Sequence, residues 1–225
     1  MKVTYIQHSG FLLETDSFYY IFDYYTGRIP VLDKNKKVIV FSSHAHADHF
    51  NPEIFGILSS MGMDFQTVLA KDISPKKYPE GVTVTKAYAN KTYTIDNIQI
   101  ETLQSTDAGV AFVVRDPEGI IYHSGDLNDW AWEGESEQYN RQMTGSYRHE
   151  INKLADEKID VAFAVLDPRQ GKNYADGMLY FLKKVNVGKV YPMHYWNQPE
   201  IIKDFLLTYP QYSDIIENTE ENKGE

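Results

Sequence analysis

Three of the seven histidines of this chain fall within six residues, His44-Ala45-His46-Ala47-Asp48-His49. The chain has no cysteine, so neither disulfides nor thiolate sites exist and any metal must be held through nitrogen and oxygen. Imidazoles and a carboxylate are such ligands. On an extended backbone His44 and His46, two apart, point the same way, while Asp48 and His49 lie beyond the turn and face a second point. One short loop can therefore serve two neighbouring metals, and the small Ala45 and Ala47 leave room for them. The competing reading is a solvated polar loop or an accidental histidine tract, and the alternation of ligands with alanines argues against it.

The elements around this loop predict how it is held. Val38 to Phe41 is a compact apolar run that ends in the histidine-rich stretch, so a rigid strand projects the loop. Asn51 with Pro52 predicts a helix start just beyond it. Upstream, Val3 to Gln7, Phe11 to Leu13 and Phe18 to Phe22 alternate with turn residues as a meander. Further strands are expected at Thr67 to Ala70, Val82 to Ala87, Thr92 to Ile95 and Ile98 to Leu103. Val110 to Val114 and Ile120 to His123 read as a hairpin around Asp116-Pro117-Glu118-Gly119. Glu135 to Lys158 is polar and free of proline. After it come a buried strand from Val161 to Leu166, a helix from Asp176 to Val185, a strand from Lys189 to Pro192 and a helix from Pro199 to Leu207. Strand clusters with helices outside imply an α+β fold of two sheets between helical layers, since each apolar sheet face must be covered.

With 225 residues, 42% of them hydrophobic, the chain suffices for one domain with a sizeable core, and the absence of repeats or linkers favours a single domain over 1–225. Only the acidic tail, 214–225, is expected to fray. The 17 tyrosines and 11 phenylalanines suit strands and pocket walls. A net charge of −10 works against long-range capture of nucleic acid or anionic membrane, which disfavours a nuclease with an extended basic surface. No run of about 18 apolar residues predicts a membrane span. The N-terminus reads as a first strand and not a leader, so the expected location is cytoplasmic. Neither Gly-x-Ser-x-Gly nor a P-loop occurs, which removes the motifs of serine esterases and nucleoside triphosphatases.

The segment His44 to His49 resembles the HxHxDH signature of the metallo-β-lactamase superfamily. Tyr122-His123-Ser124-Gly125-Asp126 is similar to the strand of that family that delivers a metal-bridging aspartate, and Pro192-Met193-His194 to the late strand that delivers the last histidine. His8-Ser9-Gly10-Phe11-Leu12 is similar to the opening of its small cytoplasmic, UlaG-like branch. The resemblance implies a four-layer αββα sandwich and one or two divalent metal ions, zinc first, with manganese or iron as alternatives. It assigns His44 and His46 to a first site, Asp48, His49 and His194 to a second, and Asp126 to both. It also implies a metal-activated water that attacks a small ester, lactone or phosphodiester, with Asp48 orienting that water or taking its proton. A small anionic metabolite is the expected partner.

One departure from the family stands out. Where another first-site histidine is usual, after Ile98 to Leu103, this chain reads Gln104-Ser105-Thr106-Asp107-Ala108-Gly109. Asp107 is the expected substitute ligand, with water or a weakly binding site as alternatives. The departure also motivates a second function reading, a metal-binding or ligand-sensing protein with little turnover. His8 and His123 lie in apolar strands, where a hydrogen-bonded core imidazole is ordinary, and each is read as a residue that orients a ligand. Arg169 either grips an anionic substrate through its planar fork or pairs with Asp167 to fix a turn. Asn128, Trp130 and Trp132 are read as a pocket wall or as core anchors, and the pair Tyr195-Trp196 as a pocket rim.

Overall fold

The computed structural model of the chain describes residues 1–222. It divides into two compact units, Met1–Tyr88, which also takes in the residues from Glu220, and Ala89–Thr219. Each holds a six-stranded mixed sheet.

In the first unit β1 (Lys2–Gln7), β2 (Gly10–Glu14) and β3 (Phe18–Phe22) form the expected antiparallel meander. Strand β3 then pairs in parallel with β4 (Lys37–Ser42), which is followed in parallel by β5 (Phe65–Ala70) and β6 (Val84–Ala87). The run Phe18-Tyr19-Tyr20-Ile21-Phe22 has no polar alternation, and all five residues are buried, as a central strand requires. Tyr19 and Ile21 pack with Leu12, Val38 and Val40 and with Ile54, Phe55 and Leu58 of α1 (Glu53–Met61). From the alternate positions, Phe22 stacks on Phe41 with ring centroids 4.8 Å apart. Helix α1 begins as the sequence suggests, with Asn51 Oδ1 accepting the Glu53 N–H at 3.0 Å. It ends at Gly62 in a left-handed conformation, φ 70°.

Two features of this sheet place side chains. Gln7 pairs with Gly10, so His8 and Ser9 form the hairpin turn between β1 and β2. A Cβ at Gly10 would come within 2.9 Å of the Gln7 carbonyl oxygen, so only glycine closes that turn. The parallel register Phe22↔Phe41 brings the chain beyond β3 beside the chain beyond β4, and the Asp23 N–H donates to Phe41 O at 2.9 Å.

In the second unit β7 (Thr92–Ile95), β8 (Ile98–Gln104), β9 (Val110–Asp116) and β10 (Gly119–His123) run antiparallel. The chain then passes through α2 (Glu137–Ile151) to β11 (Lys158–Val165), and through α3 (Asp176–Lys184) to β12 (Asn186–Met193). Both added strands are parallel to β10, and α4 (Glu200–Thr208) follows. The proline-free polar stretch forms α2, with Ser136 accepting the Tyr139 N–H at its start. Because β10, β11 and β12 are parallel, the residues that follow them emerge at one edge of the sheet, the carboxyl ends where sites of parallel sheets gather. The tail expected to fray is held over its described part. Ile216 is buried and bridges Val190, and Thr219 Oγ1 donates to Pro192 O at 2.8 Å. The last three residues of that tail lie outside the described residues.

Tyr122 on β10 stacks on Phe181 of α3 at 5.3 Å, and its fully buried hydroxyl has no hydrogen-bond partner among the described residues. A buried polar group without a partner costs about 1–3 kcal/mol. Tyr122→Phe keeps the ring stack and removes that cost, so the variant is expected to melt higher, by about 2–4 °C for each kcal/mol recovered. Calorimetric melting checks this, and a lower melting temperature would show that the hydroxyl is satisfied in solution.

Candidate metal centre

The first unit carries the loop His44–His49 at the end of β4, and its anchor is a residue that sequence reading left unassigned. Asp23, fully buried, accepts the Ser43 N–H at 2.7 Å through Oδ1 and the Ser43 hydroxyl at 2.6 Å through Oδ2. The same Oδ2 lies 2.7 Å from His49 Nδ1. A carboxylate accepting from Nδ1–H fixes the tautomer of His49 and leaves its Nε2 lone pair for a metal. The Ser43 hydroxyl proton is committed to Asp23, so at 3.0 Å Ser43 Oγ accepts from His44 Nδ1, which places the His44 lone pair on Nε2 as well. His44 Nε2 lies 3.0 Å from His46 Nδ1.

The backbone of the loop is pinned at the alanine between these two histidines. The Ala45 N–H donates to Asp72 Oδ2 at 3.0 Å, and Ala45 O accepts from Lys77 Nζ at 3.2 Å. The His46 carbonyl accepts the N–H groups of both His49 and Phe50, at 3.1 and 3.0 Å, which closes the turn. The loop is a series of turns and not an extended strand, and it brings the His44 ring within 4.5 Å of His46 and 4.2 Å of His49, centroid to centroid.

His8 joins the second group. Its Nε2 is 3.5 Å from Asp48 Oδ2, and His49 Nε2 is 3.9 Å from the same oxygen. Burial resists ionisation of Asp48, but the polar contact with the His8 imidazole and the charge of His49 outweigh it and hold the carboxyl well below the usual range. Asp48 thus stands as a carboxylate.

In the second unit the strand ends carry the other expected ligands. The register Val165↔Met193 sets Asp167 beside His194, and Asp167 Oδ2 lies 2.9 Å from His194 Nδ1. This repeats the Asp23–His49 arrangement. His194 Nε2 is directed toward Asp126 Oδ1 at 3.4 Å. Burial opposes the charge on Asp167, yet hydrogen bonds from His194 and Arg169 prevail and hold it down to about 2. Asp126 is fixed by its turn, where Trp130 Nε1 donates to Asp126 O at 2.8 Å and the Gly125 N–H donates to His123 Nδ1 at 3.1 Å. His123 thus contacts the backbone of the turn that carries Asp126.

Several expectations come out differently. Asp107 is exposed, its N–H donating to Ser105 Oγ at 3.2 Å, and it belongs to no cluster of potential ligands among the described residues. The neighbouring Thr106 points inward instead, donating to Asn128 O at 2.6 Å and accepting the Asn128 N–H at 3.0 Å. The segment that departs from the family pattern thus clamps the aspartate turn. For Arg169 one of the two expected arrangements is present, the pair with Asp167, with Nε 3.0 Å from each Asp167 oxygen, and the guanidinium lies 4.8 Å over the ring of Trp196. Asn128 is buried and donates to Gln170 Oε1 at 2.8 Å, and Tyr195 is fully buried, so both serve as framework. His8, Asp23 and His194 all adopt positive φ, 58°, 42° and 67°, a concentration of strained backbone at the candidate ligands and their supports.

The donor chemistry fits a divalent metal. Zinc binds imidazole nitrogen and carboxylate oxygen at about 2.0–2.2 Å, so two ligands of one tetrahedral ion stand roughly 3.4 Å apart. The pairs His44–His46, His8–Asp48 and His194–Asp126, at 3.0, 3.5 and 3.4 Å, lie close to that spacing.

A family profile described as the beta-lactamase superfamily domain matches residues 2–194. Among solved structures, that of Igni18, described as a novel metallo hydrolase from the archaeon Ignicoccus hospitalis, matches with a TM-score of 0.66 and 19% identity over 96% of this chain and 93% of that one. The metallo-β-lactamase fold protein YhfI from Bacillus subtilis matches with a TM-score of 0.59 and 13% identity over 95% and 94%. CmlA, a diiron β-hydroxylase from Streptomyces venezuelae, matches with a TM-score of 0.59 and 9% identity over 95% of this chain and 52% of its own. At such identities the likeness speaks to the fold, α+β of the metallo-β-lactamase type, and leaves the reaction open. A search among curated proteins finds no match.

Proposed function

Since the chain belongs to the β-lactamase superfamily, we propose that it is a metal-dependent hydrolase acting on a small ester, lactone or phosphodiester. The observation that carries this reading is the repeated pairing of a buried aspartate with a ligand histidine, Asp23 with His49 and Asp167 with His194. Each pairing commits Nδ1–H and makes Nε2 the lone-pair nitrogen, an arrangement typical of imidazoles that serve metals. The proposed ligands are His44, His46, Asp48, His49, Asp126 and His194. Imidazole-rich sets suit zinc, while the carboxylates also accommodate manganese or iron. When bound, such a metal would acidify a water molecule so that it ionises near neutral pH.

The residues of the chain supply the rest. Asp48 is 27% exposed on its side chain and held as a carboxylate, so it can accept a proton from an attacking water. Arg169, 46% exposed on its side chain and steadied by Asp167, offers a cation to an anionic substrate. The net charge of −10 supports a small substrate over a nucleic acid. A second reading, metal binding with little turnover, draws support from Asp107, which is exposed and in no cluster of potential ligands among the described residues.

Elemental mass spectrometry of the purified protein, followed by a screen of lactones and phosphodiesters before and after chelation, tests the proposal. Bound divalent metal is expected, together with hydrolysis that chelation abolishes and added metal restores. His49→Ala and His194→Ala should each lower metal content. Metal content unchanged in both variants, or hydrolysis indifferent to chelation, would overturn the assignment, and retained metal with no turnover on either class would favour the second reading.

A further inference from the structure

We infer that His8 is itself a metal ligand and completes, with Asp48 and His49, the tighter of the metal positions of this chain. The inference rests on the metal-dependent reading above and adds to it a residue outside the HxHxDH motif. The ligand atoms of His8, Asp48 and His49 all lie within 4.8 Å of one another. The 3.5 Å between His8 Nε2 and Asp48 Oδ2 is long for a charge-assisted hydrogen bond and close to the separation of two ligands on one ion. The His8 and His49 rings meet edge to face, with centroids 5.5 Å apart and planes at 83°, and their Nε2 atoms lie 3.5 and 3.9 Å from the same Asp48 oxygen.

The backbone strengthens the case. His8 occupies a hairpin turn at φ 58°, a conformation that glycine adopts freely and asparagine tolerates. Its N–H is committed to the Tyr5 hydroxyl at 2.8 Å, and the residue is only 4% exposed. A turn that needed nothing from its side chain would be better served by glycine. An imidazole kept there against that preference and aimed at Asp48 is strain held in place for a function. By contrast, among the described residues no cluster of three potential ligands drawn from the first unit alone includes His44 and His46. The added imidazole enriches the donor set beside Asp48 and His49, so the metal positions should differ in affinity.

The competing role is a hydrogen-bond donor that only orients Asp48, and this keeps a proton on His8 Nε2. Two measurements separate the roles. In apo protein titrated with zinc, the His8→Gly and His8→Asn variants both suit the turn and should melt close to the wild-type apo protein. Each should weaken the tight equivalent by more than about 100-fold, beyond the 10–100-fold typical of losing a partner that orients a ligand. In imidazole nitrogen NMR of zinc-saturated wild-type protein, His8 Nε2 is expected to be unprotonated and shifted on metal addition. A proton retained on Nε2 at saturation, or variants that bind the first equivalent as tightly as wild type, would overturn the inference while leaving metal binding intact. Wild-type protein that takes up no zinc at all would defeat this inference and the hydrolase reading together.

Discussion

Asp48→Asn is expected to lower hydrolysis by about 10²–10⁴-fold, the usual contribution of a positioned proton acceptor, while the protein keeps most of its metal. Asparagine preserves the size of the side chain and one coordinating oxygen, so the ligand shell loses a charge but not a position. What it cannot do is accept the proton of an attacking water. The structure favours Asp48 for this task because it is the one carboxylate of the histidine loop, is partly open to solvent, and is held ionised between His8 and His49. The check is a paired measurement of kcat and metal stoichiometry on the same preparation. A variant with near-normal rate and full metal would move water activation to another group, and one that loses both in proportion would make Asp48 a ligand only.

Asp23→Ala should have the largest effect on the protein as a whole. The carboxylate is fully buried and carries three bonds, from the Ser43 N–H, the Ser43 hydroxyl and His49 Nδ1. Removing one member of a buried charged network typically costs about 3–5 kcal/mol, because the remaining polar groups are left unpaired. Without the carboxylate, Nδ1 no longer has to carry the proton of His49, so metal affinity should fall by about 10–100-fold in whatever fraction stays folded. Asp23→Asn offers a milder test. Its amide oxygen can still accept the Ser43 N–H, so stability should drop less, while the loss of charge should still weaken metal binding. Denaturant melts and zinc titrations of both variants check this. If both bind zinc as tightly as wild type, Asp23 is a structural brace and nothing more.

Most of the secondary structure was legible because apolar periodicity and turn residues are local signals. The helix start at Asn51-Pro52, the β9–β10 hairpin and the strand preceding the histidine loop all appear with shifts of a residue or two, the ordinary fraying of element ends. Asp107 was misread because family spacing alone brought it to the site. Where a histidine is usual the chain places Thr106, whose hydroxyl turns to Asn128, and the aspartate beside it faces solvent.

The sequence by itself determined the chemistry available: nitrogen and oxygen donors only, six candidate ones at strand ends or in one loop, on a chain with the strand pattern of a two-sheet fold. Such information is carried by residue type and short-range spacing. The tertiary structure alone decided which groups support which ligands. Asp23 reaches His49 across 26 residues and Asp167 reaches His194 across 27, and both meetings follow from the register of parallel strands, in β3–β4 and in β11–β12. His8 meets Asp48 only because the hairpin turn between β1 and β2 adopts a left-handed backbone at that residue. Register and turn handedness emerge from packing of whole strands, since a slip of one residue would send every side chain to the opposite face, and no short stretch of sequence records them.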